Sequence, residues 1–293
     1  MSEIRTIQNN HIQVSVKDDG AELCSLKDLK SGQELVWPAD PAYWNRHAPL
    51  LFPIVGKLNG NRYTYDSTTY SMGGHGFARD SVFECLSVEG NAIWHRLVPD
   101  DKTRRMYPFD FQLDVGHIID GATLTCRWKV TNTGNADLLF SIGGHTAFRV
   151  PLNNGETIDD CWLQVSPAQD TQYKQVNSVG SVRADTQAFP LENGFAKLGA
   201  HFFDEDVYIF EDKQLASVAL AGKDKTPYLR VDFPSFPAVG IWAKPGAPFV
   251  CIEPWYGVAD HENATGELAD KVLIQTLAPH GVFDVGYQVT SLL

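Results

Sequence analysis

Two histidines that each follow a glycine pair, and one carboxylate that closes an apolar run, are the side chains of this sequence best suited to moving protons. Gly73-Gly74-His75 lies within YSMGGHGFARD, and Gly143-Gly144-His145 within LFSIGGHTAFRV. Glu253 ends the apolar run of FVCIEPWYG and is followed by Pro254, Trp255 and Tyr256. An imidazole changes charge near neutral pH. A carboxylate at the end of an apolar strand must be paired or hydrogen-bonded if it is buried. Positioned together, such groups act as general acid and general base. Glycine lets the chain take positive φ and lets a ligand approach the backbone closely. The aromatic faces beside Glu253 suit the apolar face of a sugar ring.

Each residue also has a plainer reading. Arg79 follows His75 by four residues, so a strand running out of a turn would present both to one space. A hairpin corner would instead leave His75 solvated and Arg79 in a surface ion pair. His145 fits a turn histidine bonded to backbone, and Glu253 a strand-end carboxylate in water. Asp206 sits in the acidic cluster Asp204-Glu205-Asp206, and its alternation with Val207 and Ile209 marks it as the member that points inward. Arg46 and Lys57 bracket APLLFPIVG, an apolar passage stiffened by two prolines. They are ordinary surface cations, or, converging with Arg79, a local positive site for a phosphate or carboxylate.

The elements that must position these residues are strands. HIQVSV alternates before a DDG turn, and QLDVGHII and ATLTCRWKVTN are two β-rich runs joined at Asp120-Gly121, a tight-turn pair. YIFEDKQLASVALAG, YLRVDF and VGIWAK continue the pattern, with Gly and Pro as punctuation. Helices are few: DPAYW reads as one turn capped by Asp40, and GELADKVLIQTL as a short helix or the start of a strand. There is no repeat or linker. The expectation is an all-β antiparallel structure of packed sheets, whose broad surfaces house a ligand cleft.

The 293 residues are 43% hydrophobic and 20% charged, with net charge −12. That gives no basic footprint for nucleic acid. No stretch approaches the roughly 18 apolar residues of a membrane span, and the start lacks the apolar core of a secretory signal. Five scattered cysteines without a CxxC point to reduced thiols in the cytoplasm, and to no structural zinc site.

LFPIVGKL, HGFARD, GGHTAF and CIEPWYG, in this order and spacing, resemble the aldose 1-epimerase (galactose mutarotase) superfamily, and within it the LacX-type branch. The resemblance spans nearly the whole chain. It implies a single domain over residues 1–293, a large antiparallel β-supersandwich with few short helices. It implies an isomerase that interconverts α and β anomers of an aldohexose without a cofactor or metal. By the same resemblance His145 is the general acid, Glu253 the general base and His75 the second histidine near the ring oxygen. Arg79, Asp206 and Arg46 become substrate-binding residues, Arg46 matching the branch that handles phosphorylated hexoses. Lys57, a cation bracketing the apolar passage, and Trp255, an aromatic face beside Glu253, are substrate-binding candidates by their own positions. A carboxylate near His145 would raise its pKa and keep it protonated. The partner is a sugar or sugar phosphate, with no nucleic acid or membrane, and the protein a monomer or homodimer. The rivals are a hexose-6-phosphate epimerase, a carbohydrate-binding module with the same cleft, and a metal enzyme built on His75, His145 and Glu253.

Overall fold

Alternating patterns become antiparallel sheets in the computed structural model, which describes residues 3–168 and 170–293. The strand Ile12–Lys17 buries every second residue, as its alternation predicts. Phe111–Asp120 and Thr123–Asn132 pair from Asp120↔Thr123 onward, around a turn at Gly121 with φ +55°. They are central strands of a nine-stranded sheet. Its order runs Phe195–Lys197, Trp162–Ser166, Ser217–Ala221, Pro227–Asp232, Val282–Ser291, Thr123–Asn132, Phe111–Asp120, Ala92–Leu97, Glu84–Glu89. A second sheet orders Tyr208–Phe210, Ala238–Trp242, Phe249–Tyr256, Ile142–Gly144 and Leu50–Leu51, and Thr146–Arg149 also pairs with Phe249–Tyr256. A three-stranded sheet covers Ile4–Gln8, Ile12–Lys17 and Leu23–Asp28.

The two large sheets pack face to face. A Cβ on Gly144 would sit 3.1 Å from the Tyr287 hydroxyl and 3.3 Å from Trp128, both on the nine-stranded sheet. Thr146 lies on the same face as Gly144 and meets the Tyr287 hydroxyl at 3.0 Å. Because strand side chains alternate, residues 143 and 145 point away from this interface, onto the outer face of the six-stranded sheet.

The apolar passage from Pro49 to Val55 is buried throughout, as its composition predicts. DPAYW is a single turn, with Trp44 N–H donating to Asp40 O at 2.9 Å. GELADKVLIQTL contains both expected elements, a 3₁₀ turn Leu268–Asp270 and a strand Gln275–Leu277. The sequence reading missed one helix, Asp101–Met106, whose start is sealed by the reciprocal bonds of Asp100 and Thr103. No helix among the described residues is long and apolar enough to cross a membrane, and the five cysteines are unpaired.

Candidate active site

The pairing register brings the acid and base candidates together. Gly143 lies opposite Trp255 and Thr146 opposite Ile252, so the intervening positions place His145 opposite Glu253. Pro254, facing Gly144, has no N–H for the ladder. His145 falls in the break between Ile142–Gly144 and Thr146–Arg149. Directly opposed residues of an antiparallel pair share one face at close range. The His145 Nε2 and Glu253 Oε2 are 3.3 Å apart. Gly240 is also opposite Glu253, which puts Trp242 on the same face.

This face is the floor of a cleft of about 520 Å³. Trp255 lies across it: a Cβ on Gly143 would come within 2.5 Å of the indole, and one on Gly240 within 2.3 Å. The glycine before Gly144-His145 therefore makes room for an aromatic floor. His145 stacks on Trp44 at 5.0 Å between ring centres and meets Trp242 edge-on at 5.6 Å. Its ring is held on both sides. Neither Trp44 nor Trp242 was singled out from the sequence. The alternation of VGIWAK carried the signal for Trp242, through Gly240; Trp44 had none beyond its turn.

His75 faces His145 at 5.6 Å, ring edge to ring face. The chain around it is a turn, not the strand that one reading of GGHGFARD expects. The strand Thr68–Ser71 ends before it, and Ala78–Asp80 forms a 3₁₀ turn after it. His75 itself has φ +66°, an uncommon left-handed conformation for a residue with a side chain. Its N–H donates to Gly56 O at 2.7 Å, and its Nδ1 accepts from Gly56 N–H at 3.2 Å. An accepting Nδ1 leaves the ring proton of a neutral imidazole on Nε2. Gly76 is required beside it: with φ +70°, a Cβ there would sit 2.2 Å from Phe52 O. We expect Gly76→Ala to cost about 2–3 kcal/mol, read from the denaturant midpoint, and to lower turnover by displacing His75. Unchanged values for both would refute this account of the turn.

Arg79 and Lys57 line the cleft, whereas Arg46 does not border it. Arg46 donates to Asp80 at 2.8 Å, and Arg79 donates to Gly74 O at 2.7 Å, tying down the His75 loop. All three cations are near enough for their charges to bear on His75, but Asp80 pairs with Arg46 and, at 3.8 Å, with Arg79, and only Arg79 and Lys57 reach the cleft. Lys57 is exposed and makes no ion pair among the described residues; its stem runs over Gly74 and Gly180. Asp206 borders the cleft, but not through strand alternation. It precedes the strand Tyr208–Phe210 in a turn, with φ +73°. Asp204, which the sequence reading left to solvent, lines the cleft as well.

Electrostatics reverse one expectation. His145 is not kept protonated by its carboxylate neighbour. Burial pushes its pKa down to about 3, aided by the positive charges of Arg79 and Arg46. Burial, then the charge of Asp206, pushes Glu253 well above the carboxylate range, against a weaker opposing influence of Trp255. Glu253 is only 1% exposed, and a charge in so dry a place is disfavoured on either partner. Both shifts favour the neutral forms, an unprotonated imidazole beside a protonated carboxyl. His75 is held well below the imidazole range, by burial first and then by His145, Arg79, Lys57 and Arg46. It is a neutral donor.

Comparisons with known proteins show the family and the fold. The family model described as aldose 1-epimerase matches residues 3–274. The chain is 30% identical over 295 residues to the plasmid-borne protein LacX of Lactococcus lactis subsp. lactis, covering 98% of both. It superposes with TM-score 0.94 and 33% identity on a galactose mutarotase related enzyme from Lactobacillus acidophilus, covering 99% of this chain and 98% of that one. A galactose mutarotase-like protein from Lactobacillus casei ATCC 334 gives TM-score 0.92 and 29% identity over 98% and 99% of the two chains. With its antiparallel sheets and these matches in accord, the chain belongs to the aldose 1-epimerase family.

Proposed function

We propose that the protein is a cofactor-independent mutarotase that opens and recloses an aldohexose ring to exchange its α and β anomers. One observation carries this reading: a buried imidazole and a buried carboxyl, 3.3 Å apart, share the floor of a cleft of sugar size, with a second histidine beside them. The Glu253 Oε2 is buried and has no hydrogen-bond partner among the described residues. A sugar hydroxyl donating to it stabilises the carboxylate, and the proton crosses to His145 Nε2. Glu253 then takes the proton of the C1 hydroxyl while His145 gives its own to the ring oxygen, and the C1–O5 bond breaks. His75, through its Nε2–H, supports the charge gathering on that oxygen. Rotation about C1–C2 and reversal of the two transfers close the ring on its other face. Asp206 and Arg79 hold hydroxyls, and the Trp44, Trp242 and Trp255 rings face the apolar side of the sugar. We read residues 1–293 as one domain, since one large apolar cluster draws on residues from Ile7 to Val289, beside a smaller cluster around Leu51, Val55 and Trp255.

A second reading, a hexose 6-phosphate as substrate, draws on Lys57, a cleft cation without a carboxylate partner. NMR exchange between anomers of glucose, galactose and glucose 6-phosphate tests both. Acceleration of free sugars supports the first reading, and a marked preference for the phosphate supports the second. Exchange at the spontaneous rate for all three overturns both.

The pH profile is diagnostic. With His145 down at about 3 and Glu253 raised, the neutral form of each group is favoured and the imidazole is already deprotonated near neutral pH. In chelator-treated protein, kcat/KM should show no inflection near 6.5. An activity that fell with an ordinary imidazole titration would contradict the neutral pair.

A further inference from the structure

Cys251 stands two residues before Glu253 on the same strand, so both side chains project to one face. Its Sγ, one ring nitrogen of His145 and one carboxylate oxygen of Glu253 lie within 4.8 Å of one another. All three residues are buried, Cys251 completely. Nothing in the anomer exchange described above uses the thiol.

We propose that Cys251, His145 and Glu253 form a binding site for a soft divalent cation, zinc by preference, and that its occupancy switches the acid–base pair off. Zinc holds thiolate, imidazole and carboxylate at about 2.0–2.3 Å in a tetrahedron, which puts neighbouring donor atoms roughly 3.3–3.7 Å apart. The 3.3 Å between His145 Nε2 and Glu253 Oε2 meets that spacing. The same two atoms make no hydrogen bond to each other, and Oε2 has no other partner among the described residues. Two donors facing each other at this range, unbonded and beside a thiol, are arranged as ligands of a common centre. A small movement of Cys251 completes three positions; His145 and Glu253, though not the fully buried Cys251, line the cleft. A thiolate among the donors selects zinc over harder divalent cations such as magnesium or calcium. On binding, the thiol and carboxyl protons leave to solvent, and both lone pairs needed for proton transfer become engaged. The binding half of this proposal stands on geometry alone; the inhibitory half rests on the acid–base reading above.

Cobalt(II) titration of the chelator-treated protein tests the binding half without any sugar. One equivalent should produce a thiolate-to-cobalt charge-transfer band and the intense visible bands of four-coordination. Cys251→Ala should lose the charge-transfer band and bind at least about a hundredfold more weakly, since removing even an outer-shell partner costs 10–100-fold. Cys251→Ser, closer in volume, should do the same and guards against a packing defect in the alanine variant; circular dichroism confirms the fold of both. For the inhibitory half, stoichiometric zinc should stop anomer exchange in the wild type. Both variants should keep the metal-free rate and need at least about a hundredfold more zinc. No thiolate band in the wild type, or equal zinc sensitivity in all three proteins, overturns the proposal. A thiolate band in a protein that exchanges no anomers would uphold the site and sink the mutarotase reading; exchange without a band would do the reverse.

Discussion

Glu253→Gln should slow anomer exchange by about 10⁴-fold, the upper range for one positioned proton-transfer group, or about 5.4 kcal/mol of barrier. The amide keeps the size and neutrality of the resting carboxyl but cannot take a proton from the C1 hydroxyl. The fold should survive, because Glu253 already sits protonated in its buried position. Stability supplies an independent check. Unfolded, a glutamate ionises near about 4.3; folded, Glu253 holds its proton far higher. A raised folded pKa adds stability that is fully present below the unfolded value and is lost as pH rises through the window above it. Glutamine escapes that loss. The variant should therefore gain more in melting temperature over the wild type at pH 8 than at pH 5. A rate within tenfold of wild type would remove Glu253 from the chemistry. A stability difference independent of pH would show that the carboxyl ionises normally.

His145→Asn should lower kcat by about 10³-fold with a smaller change in KM. Asparagine leaves a polar group in the floor but cannot carry a proton to the ring oxygen. Its effect should not add to that of Glu253→Gln. In the proposed reaction one proton passes between these two side chains, whose Nε2 and Oε2 stand 3.3 Å apart, so once one is gone the other has no exchange partner, and the double variant should resemble the slower single variant. Full additivity in single-turnover NMR exchange would mean that the two residues act in separate steps. A KM effect with kcat intact would reduce His145 to a binding residue against Trp44.

The sheets were legible because strand alternation is local. HIQVSV, the Asp120-Gly121 turn and the apolar passage around Pro53 each carry their structure in nearest-neighbour chemistry, and all three formed as read. The four motifs in order also pointed to the family that the comparisons then showed. Reading failed where a position depends on non-local contacts. GGHGFARD admits a strand as well as a corner, and Gly56, 19 residues upstream, decides between them by exchanging two hydrogen bonds with His75. Arg46 reads as a free cation until Asp80 is found 2.8 Å away.

What the sequence determined by itself is therefore the class of fold, the presence of two histidines and a carboxylate fit for proton transfer, and the family. What tertiary structure alone decided is where those groups stand and how dry their surroundings are. Register across two strands more than a hundred residues apart put His145 opposite Glu253, and packing of Trp44, Trp242 and Trp255 dried the pair. The resemblance placed an imidazole beside a carboxylate, and a neighbouring negative charge by itself would keep that imidazole protonated. Burial reversed that balance, since desolvation grows with enclosure on every side and no local stretch of sequence contains the walls.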